Sequence, residues 1–225
     1  MSSKIVFIIT LTSLIISGTI TCLTRRVSRL NFKIIFFSLF FTIEILFLYG
    51  TFEPKAPVFG QPFWRGPKNL RAISITFDDG PNEPYTSQIL EILRKFNVKA
   101  TFFVVGENVE IFQATLRKEI EEGHEIGIHT YNHNVLPLRS PRYIREQIQK
   151  TSNLIEKTAN VHPLLFRAPH GWRNPWVNLI AREEGLTTVA WMHEVFDIYH
   201  PGAEVITQRA LKGLENGCIL LLHDG

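Results

Sequence analysis

Two neighbouring aspartates, Asp78 and Asp79, stand where a short apolar run meets a sharp turn, in the stretch Thr-Phe-Asp-Asp-Gly-Pro. Aspartates ahead of glycine and proline often do no more than accept hydrogen bonds from the turn backbone. Adjacent residues at a strand end point in different directions, however, so one carboxylate can ligate a metal ion while its neighbour meets a water on that ion. The pair is therefore a candidate for metal-assisted hydrolysis.

His129 and His133 form the more specific signal, because an i, i+4 pair can present two imidazoles to one shared ion. Such pairs also occur by chance as surface or core histidines. Together with Asp79 they offer two imidazoles and one carboxylate, which leaves open positions as catalytic zinc requires. A non-haem iron(II) oxygenase uses the same three ligand types. His124, just upstream of the histidine pair at the start of a predicted strand, is expected to be distant from the ion and structural.

Three further side chains could complete such a site. Arg167 begins the loop Arg-Ala-Pro-His-Gly, where its guanidinium could hold an aspartate ionised and a backbone N–H could face an oxyanion. His223 follows the last apolar run and is a plausible general acid. Trp191 is expected in the core or on an aromatic rim suited to a sugar ring.

Short apolar runs predict six buried strands, at residues 72–77, 100–105, 125–128, 164–166, 187–191 and 218–222. Helical spacing between several of them predicts a parallel sheet covered by helices, either an α/β barrel or an open doubly wound sheet. In both folds the site lies at the carboxyl edge of the strands. Every candidate residue named above, apart from His124, falls at or just after the end of one of these strands.

Capping signals place the helices between the strands. Apolar spacing predicts a helix over residues 109–120, with Gly123 at its C-terminal end. Ser140 and Asn174, each followed by proline, are predicted N-caps, and Gly185 is predicted to close the helix that starts after Asn174.

Composition narrows the class of protein. Of 24 basic and 21 acidic residues, five basic and one acidic residue fall in residues 1–50, which leaves 19 and 20 in the remainder. That balance argues against a partner that is a nucleic acid. The two cysteines, Cys22 and Cys218, are too few for a thiolate metal site, so any metal is held by histidine and carboxylate.

The first 50 residues predict a membrane anchor with two hydrophobic spans. Residues 5–23 carry no charge, residues 34–49 carry only Glu44, and the loop 24–33 between them is basic. The positive-inside tendency places that loop in the cytoplasm and the following domain on the extracytoplasmic side. The alternative for the first run is a cleaved signal peptide. Residues 51–71, rich in proline and glycine, are predicted to be a linker to a domain at 72–225.

Taken in order, five segments resemble the motifs of the polysaccharide deacetylase family, the NodB homology domain or carbohydrate esterase family 4. They are TFDDGP, HTYNH, RAPHG, EVFD and LLLHD, within residues 70–225. The resemblance implies an irregular (β/α) barrel of fewer than eight complete units. It also implies metal-dependent removal of N-acetyl groups from N-acetylglucosamine residues of a glycan such as peptidoglycan or chitin, with release of acetate.

The resemblance assigns a role to each matching residue. It makes Asp78 the general base, His223 the general acid, Arg167 the residue that orients the base and Asp197 the support of the acid. The implied ligands of one divalent ion, Zn²⁺ with Co²⁺, Ni²⁺, Mn²⁺ or Fe²⁺ as alternatives, are Asp79, His129 and His133. The expected substrate and oxyanion contacts are His170, through its backbone N–H, with Trp191 and Leu221.

Three departures from the family pattern qualify these expectations. Glu194 and Ile198 replace an aspartate and a tryptophan of the fourth motif, and His170 replaces an aromatic residue of the third. The sequence ends at Gly225, just past the acid histidine, so the barrel is expected to be incomplete. The alternatives are therefore an O-acetyl ester deacetylase and an inactive, membrane-tethered glycan-binding remnant.

Overall fold

The structure is a computed structural model that describes the backbone of residues 29–225 and the side chains of residues 31–225. The chain separates into two compact units, Met1–Phe47 and Leu48–Gly225. The first described element, helix α1, runs from Arg29 to Phe52. Its stretch Asn31–Phe52 is long and apolar enough to cross a membrane, a property that a signal sequence shares. The hydrophobic run predicted at residues 34–49 lies in this helix, and the run at 5–23 lies outside the described residues.

The second unit is built on one curled parallel sheet of seven strands, in the order β5-β4-β3-β2-β1-β7-β6. No pairing joins β5 to β6 within the described residues, so the sheet is an incomplete barrel of the α/β class. The strands are β1 Ser74–Asp78, β2 Thr101–Val104, β3 Glu125–Ile128, β4 Leu165–Phe166, β5 Thr187–Thr188, β6 His193–Glu194 and β7 Ile219–His223.

Each of the six predicted strands overlaps an observed one, and the sequence missed only β6 among the strands described. Two residues with polar side chains give no apolar run, so β6 carries no pattern that could have identified it. The run at 187–191 forms only a two-residue strand, although Val189 continues into an isolated bridge with Phe63.

Helices cover the outer face of the sheet. After α1 they are α2 Tyr85–Lys95, α3 Gly106–Ile111, α4 Gln113–Glu121, α5 Pro141–Ala159, α6 Val177–Glu183 and α7 Ala203–Gly213, with 3₁₀ turns at Pro169–Gly171 and Asp197–Tyr199. The main core lies between these helices and the sheet, where Phe102, Ile128 and Phe166 are fully buried. His124 belongs to this layer: the Ala100 amide donates to its Nδ1 at 3.2 Å and its ring packs edge-on against Phe102.

The prediction of a single helix over residues 109–120 is wrong. The helical conformation is interrupted at Phe112 (φ −113°, ψ 44°), which separates α3 from α4. The apolar spacing concealed the break, since Val109 and Leu116 are both fully buried on its two sides. The glycines predicted to close helices do follow α4 and α6: Gly123 and Gly185 have φ of 80° and 78°, where an L side chain would be strained.

The two predicted N-caps had different outcomes. Ser140 caps α5, where its Oγ accepts a hydrogen bond from the Tyr143 amide at 3.3 Å. Asn174 is not the residue directly before α6, which starts at Val177 after Trp176, although its Oδ1 accepts a hydrogen bond from the Trp176 amide at 3.0 Å in the turn that leads into the helix. Its side-chain amide also donates to the carbonyls of Leu136, Pro137 and Arg139. The buried side-chain amide of Asn174 therefore links two loops through three backbone acceptors.

The stretch predicted to be a linker is bonded to the domain along its length. The Phe63 amide donates to the Thr188 carbonyl at 2.8 Å, and the Gly66 amide donates to the Gly217 carbonyl at the same distance. Nearer to α1, Ala56 is fully buried. The domain boundaries at residues 50 and 71 stay a prediction.

Candidate active site

Polar side chains gather at the carboxyl edge of the central strands because these strands are parallel and in register. Asp78 ends β1 opposite His223, the last residue of β7. His129 directly follows β3, and Arg167 directly follows β4. Parallel strands bring their carboxyl ends to one edge of a sheet, so residues that lie up to 145 positions apart in sequence come together.

Asp79, His129 and His133 form a three-residue cluster whose ligand atoms lie within 4.8 Å of one another. Asp79 Oδ1 is 3.0 Å from His133 Nε2 and 3.4 Å from His129 Nε2. His129 Nδ1 lies 2.8 Å from the Arg167 carbonyl oxygen, which can only accept. Nδ1 therefore carries a proton, which leaves Nε2 as the ring nitrogen that faces Asp79 and could bind a metal ion.

The cluster fits one divalent cation. Asp79 Oδ1 is buried and makes no hydrogen bond of acceptable geometry within the described part of the chain. Burial raises the pKa of Asp79, but the two imidazoles outweigh burial and hold the pKa well below its ordinary value. Two imidazoles and an ionised carboxylate oxygen without a hydrogen-bond partner form a donor set that can hold a divalent metal ion.

Asp78 is held beside this cluster by Arg167. Both residues are buried, and Arg167 Nη1 donates to Asp78 Oδ1 at 2.6 Å and to Thr76 Oγ1 at 2.8 Å. The guanidinium also lies over the ring of Phe103, 4.0 Å from its centroid. Asp78 Oδ2 is 3.6 Å from His129 Nε2. One oxygen of Asp78 is thus fixed by a charge-assisted bond, and the other faces the ligand cluster.

His223 and Asp197 form a second charged pair at the same edge. Asp197 Oδ1 lies 2.8 Å from His223 Nδ1, and Asp197 Oδ2 accepts the backbone N–H of His223 at 2.8 Å. Burial lowers the pKa of His223, but the bond to Asp197 and nearby carboxylates outweigh burial and raise it above the ordinary value. Such an imidazole keeps its proton to a higher pH than a free imidazole does, and its Nε2 can then act as a donor.

The site residues expected from the sequence surround one cavity of about 310 Å³. Those that line it are Asp78, Asp79, His129, His133, His170, Trp191, Leu221 and His223. Arg167 and Asp197 do not line it but each holds a residue that does. His170 adopts φ 57° in the 3₁₀ turn, with its ring centroid 5.1 Å from that of His133.

Sequence reasoning missed three residues of this cavity, Phe52, Pro54 and Trp172. Trp172 directly follows the RAPHG loop, and that proximity could have identified it. Phe52 ends a hydrophobic helix and Pro54 follows it, so neither residue type suggests a site. The departures Glu194 and Ile198 also line the cavity, and burial raises the pKa of Glu194.

Asp224 is bonded to the end of β1, next to the turn that follows Asp78 and Asp79. Its amide donates to the Asp78 carbonyl at 3.0 Å, and its Oδ2 accepts the Thr86 hydroxyl at 2.6 Å. Burial raises the pKa of Asp224 to about 7. A Cβ on Gly80 would lie 2.2 Å from Asp224 Oδ2, which explains the glycine after the two aspartates.

The family model described as "Polysaccharide deacetylase" matches residues 65–189. A peptidoglycan-N-acetylglucosamine deacetylase of Bacillus cereus is 39% identical over 168 residues, which cover 74% of this chain and 78% of that protein. The peptidoglycan-N-acetylglucosamine deacetylase PgdA of Listeria monocytogenes is 36% identical over 157 residues, or 70% of this chain. This chain covers only 33% of the Listeria protein, which is much longer.

Solved structures give the same fold. The crystal structure of the Bc1960 peptidoglycan N-acetylglucosamine deacetylase superposes with a TM-score of 0.70 at 35% identity, covering 71% of this chain and 75% of that chain. A carbohydrate esterase family 4 pseudoenzyme from Bacillus anthracis superposes with a TM-score of 0.69 at 32% identity, covering 72% of this chain and 58% of that chain. The fold is thus shared by a protein described as a deacetylase and by one described as a pseudoenzyme.

Proposed function

Because the chain belongs to the polysaccharide deacetylase family of hydrolases, we propose that it removes N-acetyl groups from N-acetylglucosamine residues of a glycan in a metal-dependent reaction. The proposal rests on one observation. The three-ligand cluster lies in the same cavity wall as the carboxylate of Asp78, which is held by a bond of its own to Arg167. Relatives are described as deacetylases of peptidoglycan N-acetylglucosamine and N-acetylmuramic acid, which makes peptidoglycan the first substrate to test.

Asp79, His129 and His133 would hold the ion. When bound, a divalent ion of this kind supplies Lewis acidity toward the substrate carbonyl and lowers the pKa of a coordinated water. Zn²⁺ suits two imidazoles and one carboxylate, and Co²⁺, Ni²⁺, Mn²⁺ and Fe²⁺ accept the same donors.

Asp78 acts as the general base. Its Oδ2 is directed toward the ligand cluster, where it can accept the proton of the attacking water, while Arg167 holds Oδ1. The buried guanidinium keeps the carboxylate in the orientation needed for that transfer. The backbone N–H of His170 is the proposed donor to the oxyanion, and Trp191 and Leu221 are the proposed sugar contacts.

His223 acts as the general acid. An amine leaves poorly without a proton, so Nε2 must carry one when the carbon–nitrogen bond breaks. Asp197 maintains that protonated state by its bond to Nδ1. The products are acetate and a glucosamine residue.

The pairing predicts how pH dependence changes in the Asp197→Asn variant. Without the aspartate charge, burial lowers the pKa of His223, so the acid loses its proton at a lower pH. We expect the basic limb of the kcat profile to move to lower pH, with a loss of at least about tenfold at pH 8. Acetate release between pH 5 and pH 10 measures it. Glu204→Gln, the same change at an exposed position, should leave the profile in place, and an unmoved basic limb in Asp197→Asn would contradict the assignment.

Acetate release from peptidoglycan and from N-acetylglucosamine oligomers, with and without chelator, tests the proposed function as a whole. We expect release that stops on chelation and returns when Zn²⁺ is added. Release from acetylated xylan alone would instead indicate an O-acetyl esterase. Oxygen consumption with bound iron would indicate the iron(II) oxygenase.

An inactive glycan-binding remnant is a second candidate, favoured by the likeness to a pseudoenzyme. Glycan binding by metal-containing protein without acetate release would identify it.

The proposed location of the domain is the extracytoplasmic side of the membrane, with residues 1–50 as anchor and 51–71 as connecting segment. Protease accessibility of the domain in intact cells and in opened cells tests that location.

A further inference from the structure

The end of the predicted membrane helix forms part of the active-site cavity. Phe52, the last residue of α1, lines the cavity, as does Pro54 two residues later. The ring of Phe52 meets that of Trp172 edge to face, with 5.1 Å between centroids. Pro54 packs directly on the RAPHG loop, since a Cβ on Gly171 would lie 2.6 Å from Pro54 Cγ.

Arg173 fixes this segment to the domain. It is 1% exposed, and its Nη2 donates to the carbonyls of Glu53, Pro54 and Ala56 at 3.0–3.2 Å. Its backbone amide donates to the carbonyl of Thr51, itself buried, at 3.0 Å. Loss of the segment would remove these three acceptors of the Arg173 guanidinium. The structure thus favours retention of the helix end in the working protein over cleavage downstream of it.

The point at which α1 ends determines how far the cavity lies from a membrane that the helix crosses. Asn31–Phe52 has 22 residues, which at about 1.5 Å each span roughly 33 Å, close to the thickness of a bilayer's hydrocarbon core. A helix that crosses the membrane over this stretch ends at Phe52, within a side chain's length of the cavity. A glycan held at the membrane surface therefore reaches the cavity without any further extension of the chain.

We propose that Phe52 and Pro54 form a sugar-contacting wall of the active site, and that the substrate is an acetylated glycan held at the membrane surface by a lipid. The proposal rests on the deacetylase function proposed above and on α1 crossing the membrane. Phe52 is 49% exposed and Trp172 lines the same cavity, so together they offer aromatic surface to a sugar ring.

A substrate series tests the membrane level of the site. The full chain is reconstituted in phospholipid vesicles with N-acetylglucosamine oligomers that are free, joined directly to a lipid, or joined through a spacer of about 60 Å. We expect the directly joined oligomer to lose the acetyl group nearest the lipid as fast as the spaced one. Hydrolysis of free and spaced oligomers alone would overturn the inference and leave the deacetylase function intact. Hydrolysis of none would overturn the function itself.

The wall is tested by Phe52→Ala. We expect KM for the oligomer to rise about threefold to tenfold with kcat within about twofold, since the truncation removes the aromatic face that contacts the sugar ring. Phe52→Tyr should restore KM. Leu48→Ala, one turn earlier on the same helix face and outside the cavity lining, should leave both constants unchanged. An unchanged KM in Phe52→Ala would show that the wall does not contact the sugar.

Discussion

Replacing Asp78 with asparagine is expected to lower acetate release by at least about a hundredfold while the protein still binds its metal. The amide keeps the shape of the side chain and leaves Asp79, His129 and His133 in place. It cannot accept a proton from the attacking water, and general base catalysis contributes about 10²–10⁴-fold. Initial rates on N-acetylglucosamine oligomers and metal content by elemental analysis measure the two parts of this prediction.

Stability must be followed in the same variant, because Arg167 is fully buried against Asp78. Neutralising one partner of a buried ion pair typically costs about 3–5 kcal/mol, so the assay is run well below the measured midpoint of thermal unfolding. Glu121→Gln makes the same chemical change on an exposed side chain and should keep wild-type activity. Undiminished acetate release from a folded Asp78→Asn protein would exclude Asp78 as the base.

Replacing His133 with alanine is expected to remove most of the bound metal and at least about a hundredfold of the activity. Three protein ligands are the minimum for a catalytic zinc site, and losing a ligand exceeds the 10–100-fold effects typical of its supporting partners. His133 is a half-exposed residue of a loop, so its truncation removes little packing. Metal content after dialysis and acetate release, each with and without added Zn²⁺, provide the measurements.

The matched control is His162→Ala, which truncates an exposed histidine that is paired with Glu156 and does not line the cavity. It should retain both metal and activity. If His133→Ala releases acetate at the wild-type rate without metal, the ion is not part of the reaction. If it keeps a full complement of metal yet is inactive, His133 acts on the substrate instead of on the ion.

The polar motifs could be found from sequence because each consists of a strand end and the residues directly after it. Apolar runs predicted the strands, and the parallel arrangement required Asp78, His129 and Arg167 to meet at one edge. Local pattern also predicted the cap at Ser140. It did not predict that the Asn174 amide donates to three carbonyls, because those carbonyls belong to another loop. The partners of a side chain depend on which groups lie near it in the folded protein, and spacing along the chain does not specify those groups.

The amino-acid sequence by itself determined the α/β class, the carboxyl-edge location of the site and the set of residues capable of binding metal and moving protons. These follow from side-chain chemistry and from the period of apolar residues, which are local properties. Only the tertiary structure decided that Phe52 and Pro54 enter the cavity, that Arg173 fixes them there and that His129 directs Nε2 toward Asp79. Those features depend on contacts between segments more than 35 residues apart, and no local property of either segment specifies the other.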